Sequence, residues 1–207
     1  MIVTTPSIRA VKQRFPYAHI SVMAIPIGES VLSGNPFINE ILIYERKSWF
    51  GYTRFIKELR AKNFDLVLDF HNTFFSLRRL LIPFLTGARY RVGFKRKGFQ
   101  GFLNTQEAVW LIAVKHEAES YLDLVRVLGV EPKTKNLEIH YSEEDEVWAR
   151  ECLKEHGIFD GDLVICIHPA SKNASKLWLS DRFAVVADGL ITKYKARVIF
   201  TGTKDEK

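Results

Sequence analysis

The chain has 207 residues, of which 47% are hydrophobic, and a formal net charge of +6. That composition is ordinary for a globular protein with a sizeable core. It contains neither an apolar run of the roughly 18 residues that a membrane-spanning helix needs nor a basic-then-apolar signal pattern at the N-terminus. The positive charge favours anionic partners such as phosphorylated sugars, nucleic acid or an acidic membrane face, but for the charge alone a solvated lysine-rich surface is the better explanation.

Apolar periodicity predicts short strands that alternate with amphipathic helices, which is typical of a doubly wound α/β fold. The first helix spans 4–15, with a threonine cap, Pro6 in its first turn and an apolar face of Ile8, Val11 and Phe15. Further helices are predicted at 52–62, 74–85, 116–128, 142–156 and 181–194. Strands are predicted at 19–24, 40–44, 64–70, 90–94, 163–167 and 197–201.

We predict a domain boundary between residues 138 and 139, which gives domains at 1–138 and 139–207. The second domain then contains only an initial β-α-β part. In such folds a strand precedes the first helix and lies in the middle of the sheet. Because none precedes the helix at 4–15, we expect the first strand to be missing, its neighbours to have unpaired edges and the helix faces to be uncovered.

A polar loop follows the predicted strand 163–167 and leads into a helix, an order that builds anion sites in α/β proteins. Backbone N–H groups, the hydroxyl of Ser171 and the ammonium of Lys176 could together hold a diphosphate, with Lys172 adding positive potential. Gly202 and Glu206 follow the next strand, where a carboxylate can accept hydrogen bonds from ribose hydroxyls. An ordinary β–α loop with surface lysines is the alternative.

The helix after this loop should begin with Ser180 or Asp181 as its cap. Three apolar side chains should seat it on the sheet: Phe183, Val186 and Leu190. The two cysteines, Cys152 and Cys166, lack metal-ligand spacing, which favours a reduced cytoplasmic protein with buried thiols.

The segment 89–102 interleaves basic residues, among them Arg96 and Lys97, with aromatic residues and glycines. Such a segment could bind single-stranded nucleic acid, the phosphates of a lipid-linked ligand, or an anionic membrane face; a solvated loop is the alternative. Asp69 and His71 end the predicted strand 64–70, where open α/β sheets bind ligands. A capping or core-edge role for these two residues also fits. His116 is predicted to start a helix.

Several motifs, taken in order, resemble those of the family 9 glycosyltransferases, the ADP-heptose:lipopolysaccharide heptosyltransferase family. The clearest are His168-Pro-Ala-Ser, Lys176-Leu-Trp, Arg182-Phe-Ala-x-x-Ala-Asp and Phe200-Thr-Gly-x-x-x-Glu206. Similar stretches lie at 4–16, 64–71, 91–94 and 116–129, so the resemblance covers essentially the whole chain. It implies a GT-B fold, with an acceptor-side domain at 1–138 and the start of the nucleotide-sugar-binding domain at 139–207.

The resemblance also assigns roles to residues. Ser171 and Lys176 match the loop that contacts the donor diphosphate, and Glu206 matches the acid that binds the nucleotide ribose; Lys172 and Gly202 belong to the same donor site. The acceptor-side candidates are Asp69, His71, Arg96 and Lys97.

The chemistry implied is transfer of heptose from ADP-heptose to a hydroxyl of the lipopolysaccharide inner core, with inversion and without a metal or cofactor. The protein would be cytoplasmic, with peripheral contact at the inner face of the membrane. The family's catalytic aspartate would fall just before Met1, and its later Asp-Ser-Gly-x-x-His stretch beyond Lys207. We therefore expect these 207 residues to be inactive and to bind nucleotide weakly or not at all.

Two other functions remain open from the sequence. One is a sibling transferase that uses another nucleotide sugar. The other is a non-enzymatic basic module that binds RNA or other anions through the segment 89–102.

Overall fold

The computed structural model describes residues 1–45, 48–71, 77–95, 104–109, 115–171 and 173–202, and only the backbone of 77–80 and 174. The chain divides into two compact units, Met1–Tyr141 and Ser142–Lys207. This division lies three residues beyond the predicted domain boundary. Within the described ranges, no helix combines the length and the hydropathy needed to cross a bilayer.

Both units alternate strands with helices, as the sequence predicted. The helices of the first unit's described part are α1 (Thr5–Arg14), α2 (Pro26–Leu32), α3 (Trp49–Ala61), α4 (Leu77–Leu85) and α5 (Glu117–Arg126). Its strands are β1 (Ser21–Ala24), β2 (Glu40–Ile43), β3 (Leu66–Asp69), β4 (Tyr90–Phe94) and β5 (Gln106–Ala108). The second unit contains α6 (Glu143–Glu155), β6 (Val164–Ile167), α7 (Ser180–Tyr194) and β7 (Arg197–Phe200). The sequence had predicted all of these except α2 and β5.

Every strand pairing in the described residues is parallel. In the first unit β1 pairs with β2, and β3, β4 and β5 form a second sheet in that order; in the second unit β6 pairs with β7. Within these residues β1 and β3 each have a single strand neighbour, and they do not pair with each other.

The first unit buries apolar side chains on both faces of its strands. On one face, residues of α3 and α4 pack with residues in and near β1, β2 and β3: Tyr52, Phe55, Ile56, Leu59, Ile82, Leu85, Met23, Leu42, Tyr44 and Phe64. On the other face, α1 and α5 pack against Ile20 and Leu68, while Tyr121 and Leu124 pack against Val92 and Phe94. Burial on both faces explains the continuous apolar runs of the parallel strands.

Helix α1 is buried from Thr5 to Val11, so the expectation that its faces would be uncovered is wrong. A 3-10 turn, Ile2–Thr4, precedes α1, and α5 packs against α1. Ile8 and Val11 are buried as predicted, but Phe15 is 40% exposed because it follows the last helical residue and leaves the helical path. Thr4 occupies the predicted N-cap position, but it makes no side-chain cap bond, because its hydroxyl donates to the carbonyl of Met1.

Several predicted helix ends match the structure. Ser142 and Asp145 form a reciprocal capping box at the start of α6. The side chain of His116 accepts a hydrogen bond from the N–H of Ala118 and so starts α5. Gly129 and Gly157, which follow α5 and α6, have positive φ angles of 70° and 69°. Glycine adopts this conformation without the steric cost that a Cβ would impose.

The start of α7 differs from the prediction. Leu179 occupies the cap position and makes no side-chain cap bond, so Ser180 and Asp181 lie inside the first turn. Val186 is 42% exposed, whereas Ala187 is buried and Phe183 and Leu190 are half-buried. The packed face therefore runs through positions 183, 187 and 190, which are spaced four and three residues apart.

Candidate functional site

The carboxyl ends of β6 and β7 lie side by side in the second unit, where Ile167 pairs with Phe200. Beyond that pair, the N–H of Thr201 donates to the carbonyl of Ile167 at 3.0 Å. The ring of His168 then spans the two strand ends, with Nδ1 3.0 Å from the carbonyl oxygen of Thr201. The segment after β6 and the segment after β7 are therefore held together at the edge where open α/β sheets bind ligands.

This contact also shows which ring nitrogen of His168 carries a hydrogen. A carbonyl oxygen can only accept, so Nδ1 must carry the hydrogen, and in the neutral ring Nε2 is then an acceptor. The sequence had identified His168 only as part of a motif, because the spacing does not show that its ring reaches the next strand.

We call residues 168–176 the donor-loop candidate. Asn173 organises its far end: Asn173 Oδ1 accepts from the hydroxyl of Ser175 at 2.9 Å and from the N–H of Ser175 at 3.3 Å. The N–H of Asn173 donates to the hydroxyl oxygen of Ser171 at 3.3 Å. The N–H of Lys176 donates to the carbonyl oxygen of Asn173 at 2.9 Å and completes a short 3-10 turn, Ala174–Lys176. Asn173 was not among the residues predicted from the sequence, although asparagine often folds its side chain onto nearby backbone in turns.

The two predicted donor residues in the described part of the loop are accessible to a ligand in different degrees. Ser171 is half-buried and Lys176 is exposed. Lys176 forms no ion pair with any described residue of the chain. Gly202 is exposed and directly follows Thr201, while Lys172 and Glu206 lie outside the described residues. The structure therefore gathers Ser171, Lys176 and Gly202 on segments that leave one sheet edge.

Two residues beyond the donor-loop candidate, an aromatic side chain packs on α7. The rings of Trp178 and Phe183 meet edge to face, with centroids 5.0 Å apart. Trp178 itself is 45% exposed. Cys166 is exposed on β6 and Cys152 is half-buried, so the prediction that both thiols are buried is wrong.

In the first unit, Asp69 ends β3 and is buried, with its side chain 5% exposed. Its Oδ1 accepts the backbone N–H of His71 at 3.0 Å and lies 3.0 Å from His71 Nδ1. Because an ionised carboxylate can only accept, His71 Nδ1 is the donor in this contact. Asp69 therefore caps the turn and orients a histidine whose side chain is 40% exposed. Arg96 and Lys97 lie outside the described residues.

Acidic and imidazole side chains do not converge into a metal site in the described parts of the chain. These parts contain no group of three or more His, Cys, Asp or Glu residues that could hold a metal ion. The described site consists of hydroxyl, ammonium, imidazole and backbone groups, which suit an anionic ligand.

Comparison with known proteins identifies the family. The model of glycosyltransferase family 9 (heptosyltransferase) matches residues 52–207. The chain belongs to glycosyltransferase family 9. The resemblance found from the sequence motifs is thus confirmed.

Curated relatives of the chain carry heptosyltransferase names. Lipopolysaccharide heptosyltransferase 3 of Escherichia coli is 25% identical over 216 residues, which cover 98% of this chain and 60% of the relative. Its counterpart in Escherichia coli strain K12 is 28% identical, with coverage of 92% and 56%. The chain therefore spans 60% or less of the length of these two family 9 relatives.

Solved structures of family 9 proteins confirm the predicted GT-B architecture. A family 9 glycosyltransferase from Veillonella parvula superposes with a TM-score of 0.86 at 23% identity, over 99% of this chain and 59% of that one. E. coli ADP-heptose LPS heptosyltransferase II gives a TM-score of 0.73 at 22% identity, with coverage of 99% and 61%. E. coli heptosyltransferase WaaC with ADP gives 0.70 at 16%, with coverage of 99% and 64%.

Proposed function

We propose that the activity to which this family 9 chain contributes is heptosyl transfer from ADP-heptose to the lipopolysaccharide core, and that its second unit binds the donor. The observation that carries the proposal is the bond from His168 to Thr201, which holds the donor-loop candidate beside the segment that contains Gly202. A diphosphate at this edge would meet the hydroxyl of Ser171, the ammonium of Lys176 and loop N–H groups. Charge-assisted hydrogen bonds of this type are the strong ones.

The names of similar proteins support this choice of donor. Two curated relatives are named lipopolysaccharide heptosyltransferase 3. Solved structures with the same fold are titled as WaaC with ADP and with ADP-2-deoxy-2-fluoro heptose. Under this proposal Lys172 adds positive potential to the donor loop and Glu206 binds the ribose.

The first unit would carry the acceptor, a phosphorylated lipopolysaccharide core. Asp69 and His71 lie at the carboxyl end of a parallel strand, where such sheets bind ligands. Arg96 and Lys97 would meet the acceptor phosphates. The protein would act in the cytoplasm, with peripheral contact at the anionic inner face of the membrane.

In the proposed reaction a base removes the proton of the acceptor hydroxyl, whose oxygen attacks the anomeric carbon as the bond to ADP breaks, with inversion. The residues of the donor-loop candidate would stabilise the negative charge that develops on the departing ADP. Neither a metal nor a cofactor takes part in this scheme.

Calorimetric titration with ADP tests the donor assignment. We expect weak ADP binding by the 207-residue chain and weaker binding of AMP, which lacks the second phosphate. Lys176→Ala should reduce the ADP affinity about tenfold, because a hydrogen bond to a charged group contributes about 1.5–3 kcal/mol.

Lys154→Ala is the matched control, since Lys154 lies in the last turn of α6 in the same unit and its loss changes the charge equally. This variant should bind ADP like the unchanged chain. Equal affinity for ADP and AMP, or an unchanged affinity in Lys176→Ala, would refute the diphosphate assignment. Tighter binding of UDP or GDP than of ADP would instead indicate another nucleotide sugar.

A further inference from the structure

A row of three residues crosses the carboxyl end of the sheet formed by β3, β4 and β5. Asp69 pairs with Gly93, and Gly93 pairs with Glu107. Side chains of register partners in a sheet point to the same face. Asp69 and Glu107 therefore share a face, with their Cα atoms about 10 Å apart because two strand spacings separate them.

This face is opposite to the one that α5 covers. The residues beside the row in sequence, Leu68, Phe94 and Ala108, pack with Tyr121 and Leu124 of α5. Since side chains alternate along a strand, Asp69, Gly93 and Glu107 point away from α5. The row is therefore separate from the apolar core on the α5 side.

The middle position of the row is occupied by an amide from elsewhere in the chain. A Cβ on Gly93 would lie 2.7 Å from Asn104 Nδ2 and 2.8 Å from Asn104 Oδ1. The absence of a side chain at Gly93 thus makes room for the amide of Asn104, which also donates to the carbonyl of Phe94 at 3.4 Å. A polar group that both donates and accepts therefore lies between two carboxylates.

Glu107 provides a second, independent indication that this row binds a ligand. Its Oε1 is buried and has no hydrogen-bond partner among the described residues. A buried carboxylate oxygen without a donor costs free energy, so a ligand that donates a hydrogen bond there would relieve that cost.

We propose that Asp69, Asn104 and Glu107 form a subsite for the hydroxyl groups of an uncharged sugar ring, with His71 at its rim. The proposal rests on the proposed function, in which the first unit carries the acceptor. Two carboxylates and an amide suit hydroxyl donors, and they repel phosphate.

Methyl α-D-mannopyranoside serves as the probe, because it carries ring hydroxyls and no charge. Amide chemical shifts of the 207-residue chain, followed by NMR, should change at Asp69, Asn104 and Glu107 on titration. The fully O-methylated mannoside keeps the ring but has no hydroxyl donors, so it should leave these signals unchanged. Equal shifts with both sugars, or no shifts with the mannoside, would overturn the proposal.

One substitution and its control test whether Glu107 contacts the sugar. Glu107→Gln should weaken mannoside binding about tenfold, since it replaces a charged acceptor by a neutral one. The matched control is Glu131→Gln, because the side chain of Glu131 in the same unit is 82% exposed; its affinity should not change. Unchanged binding in Glu107→Gln would refute the role of this carboxylate.

Gly93→Ala displaces the amide without touching either carboxylate. The three atoms nearest to the added methyl group all belong to the end of the Asn104 side chain, which can rotate away, so the variant should fold and still lose most mannoside affinity. Full retention of binding in a folded Gly93→Ala chain would contradict the proposed role of Asn104. The donor proposal is tested separately, since ADP should still bind each of these variants through the second unit.

Discussion

Arg9 shows at the residue scale how a buried charge is stabilised. It is 8% exposed, and its guanidinium donates to Thr134 Oγ1 at 2.6 Å and to the carbonyl of Asn136 at 3.1 Å. It also forms an ion pair with Glu138. Burial lowers the pKa of Arg9, but an arginine remains charged at any physiological pH. Arg9 thus attaches the segment 134–138 to α1.

Replacing this arginine should destabilise the first unit. In Arg9→Met the apolar stem is kept, while the backbone carbonyls of Thr134 and Asn136 lose this donor and Glu138 loses its ion pair with Arg9. We expect the free energy of unfolding to fall by about 2–4 kcal/mol, because removing one partner leaves the other buried and unpaired. Urea denaturation followed by circular dichroism measures the change.

Arg14→Met, at the exposed end of the same helix, is the control and should change the stability by less than about 0.5 kcal/mol. If Arg9→Met unfolds at the same urea concentration as the Arg14 variant, the network does not contribute to stability.

Individual site residues were only partly predictable from the sequence. Ser171 and Lys176 could be identified because a hydroxyl and an ammonium after a buried strand form a local pattern. The roles of His168 and Asn104 depend on contacts with residues 33 and 10 positions away, which no local pattern reveals. The position of Glu107 depends in turn on the strand register.

At the element scale, α5 is surrounded by ion pairs. Asp123 receives hydrogen bonds from Lys115 and Arg126, and Arg126 and Lys135 also pair with Glu119. Burial raises the pKa of Asp123, but the bonds from Lys115 and Arg126 outweigh it, and the net pKa is lowered. The bond from Lys135 lowers the pKa of Glu119 against its partial burial, with a further contribution from Arg126.

These lowered pKa values predict acid sensitivity. A carboxylate whose pKa is lower in the folded state binds fewer protons folded than unfolded, so its contribution is present above the unfolded pKa and is lost as the pH falls. We expect the free energy of unfolding to decrease below about pH 4.5, the ordinary pKa of a glutamate, and to decrease further below 3.8, that of an aspartate. Urea denaturation at several pH values measures this slope.

Asp123→Asn should flatten the acid slope. The comparison is Asp65→Asn, since Asp65 is exposed in the same unit and should leave the slope unchanged. An Asp123→Asn chain with the slope of the unchanged protein would show that other carboxylates control the acid response.

The end of α7 contains a left-handed residue that is not glycine. Lys195 has φ 57° and ψ 29° at the C-cap. Because a Cβ is unfavourable in this conformation, Lys195→Gly should stabilise the second unit by up to about 1 kcal/mol, seen as a higher melting temperature. Lys193→Gly, inside the helix, should instead destabilise the unit by about 1 kcal/mol and lower its melting temperature. A lower melting temperature in both variants would contradict this explanation.

Elements whose apolar pattern extends over many residues were predictable, and the two that were missed are short. Helix α2 has seven residues and contains Gly28, which weakens its helical pattern. Strand β5 has three residues and is defined by its register with β4. Such elements depend on tertiary pairing rather than on local propensity, so the sequence alone does not reveal them.

At the scale of the whole molecule, the buried apolar residues are distributed unequally between the units. The described core clusters all lie in the first unit. In the described part of the second unit, Ala187 and Ala196 are the buried apolar residues. Residues 1–141 alone should therefore unfold cooperatively on heating, whereas residues 142–207 alone should show a broad transition, because a small buried surface cannot offset the entropy of ordering the chain.

Circular dichroism melts of the two separate pieces test this prediction. A sharp transition in 142–207, or none in 1–141, would contradict it.

The overall architecture was predictable because the alternation of strands and helices and the order of the motifs are recorded along the entire chain.

The central claim is that the segments after β6 and β7 form the donor-nucleotide site. Amide shift mapping by NMR during an ADP titration of the 207-residue chain tests it most directly. We predict that the shifts concentrate at residues 168–176 and at Thr201 and Gly202, and that they disappear in Lys176→Ala. Shifts confined to the first unit, or shifts at residues 168–176 that persist unchanged in Lys176→Ala, would contradict the claim.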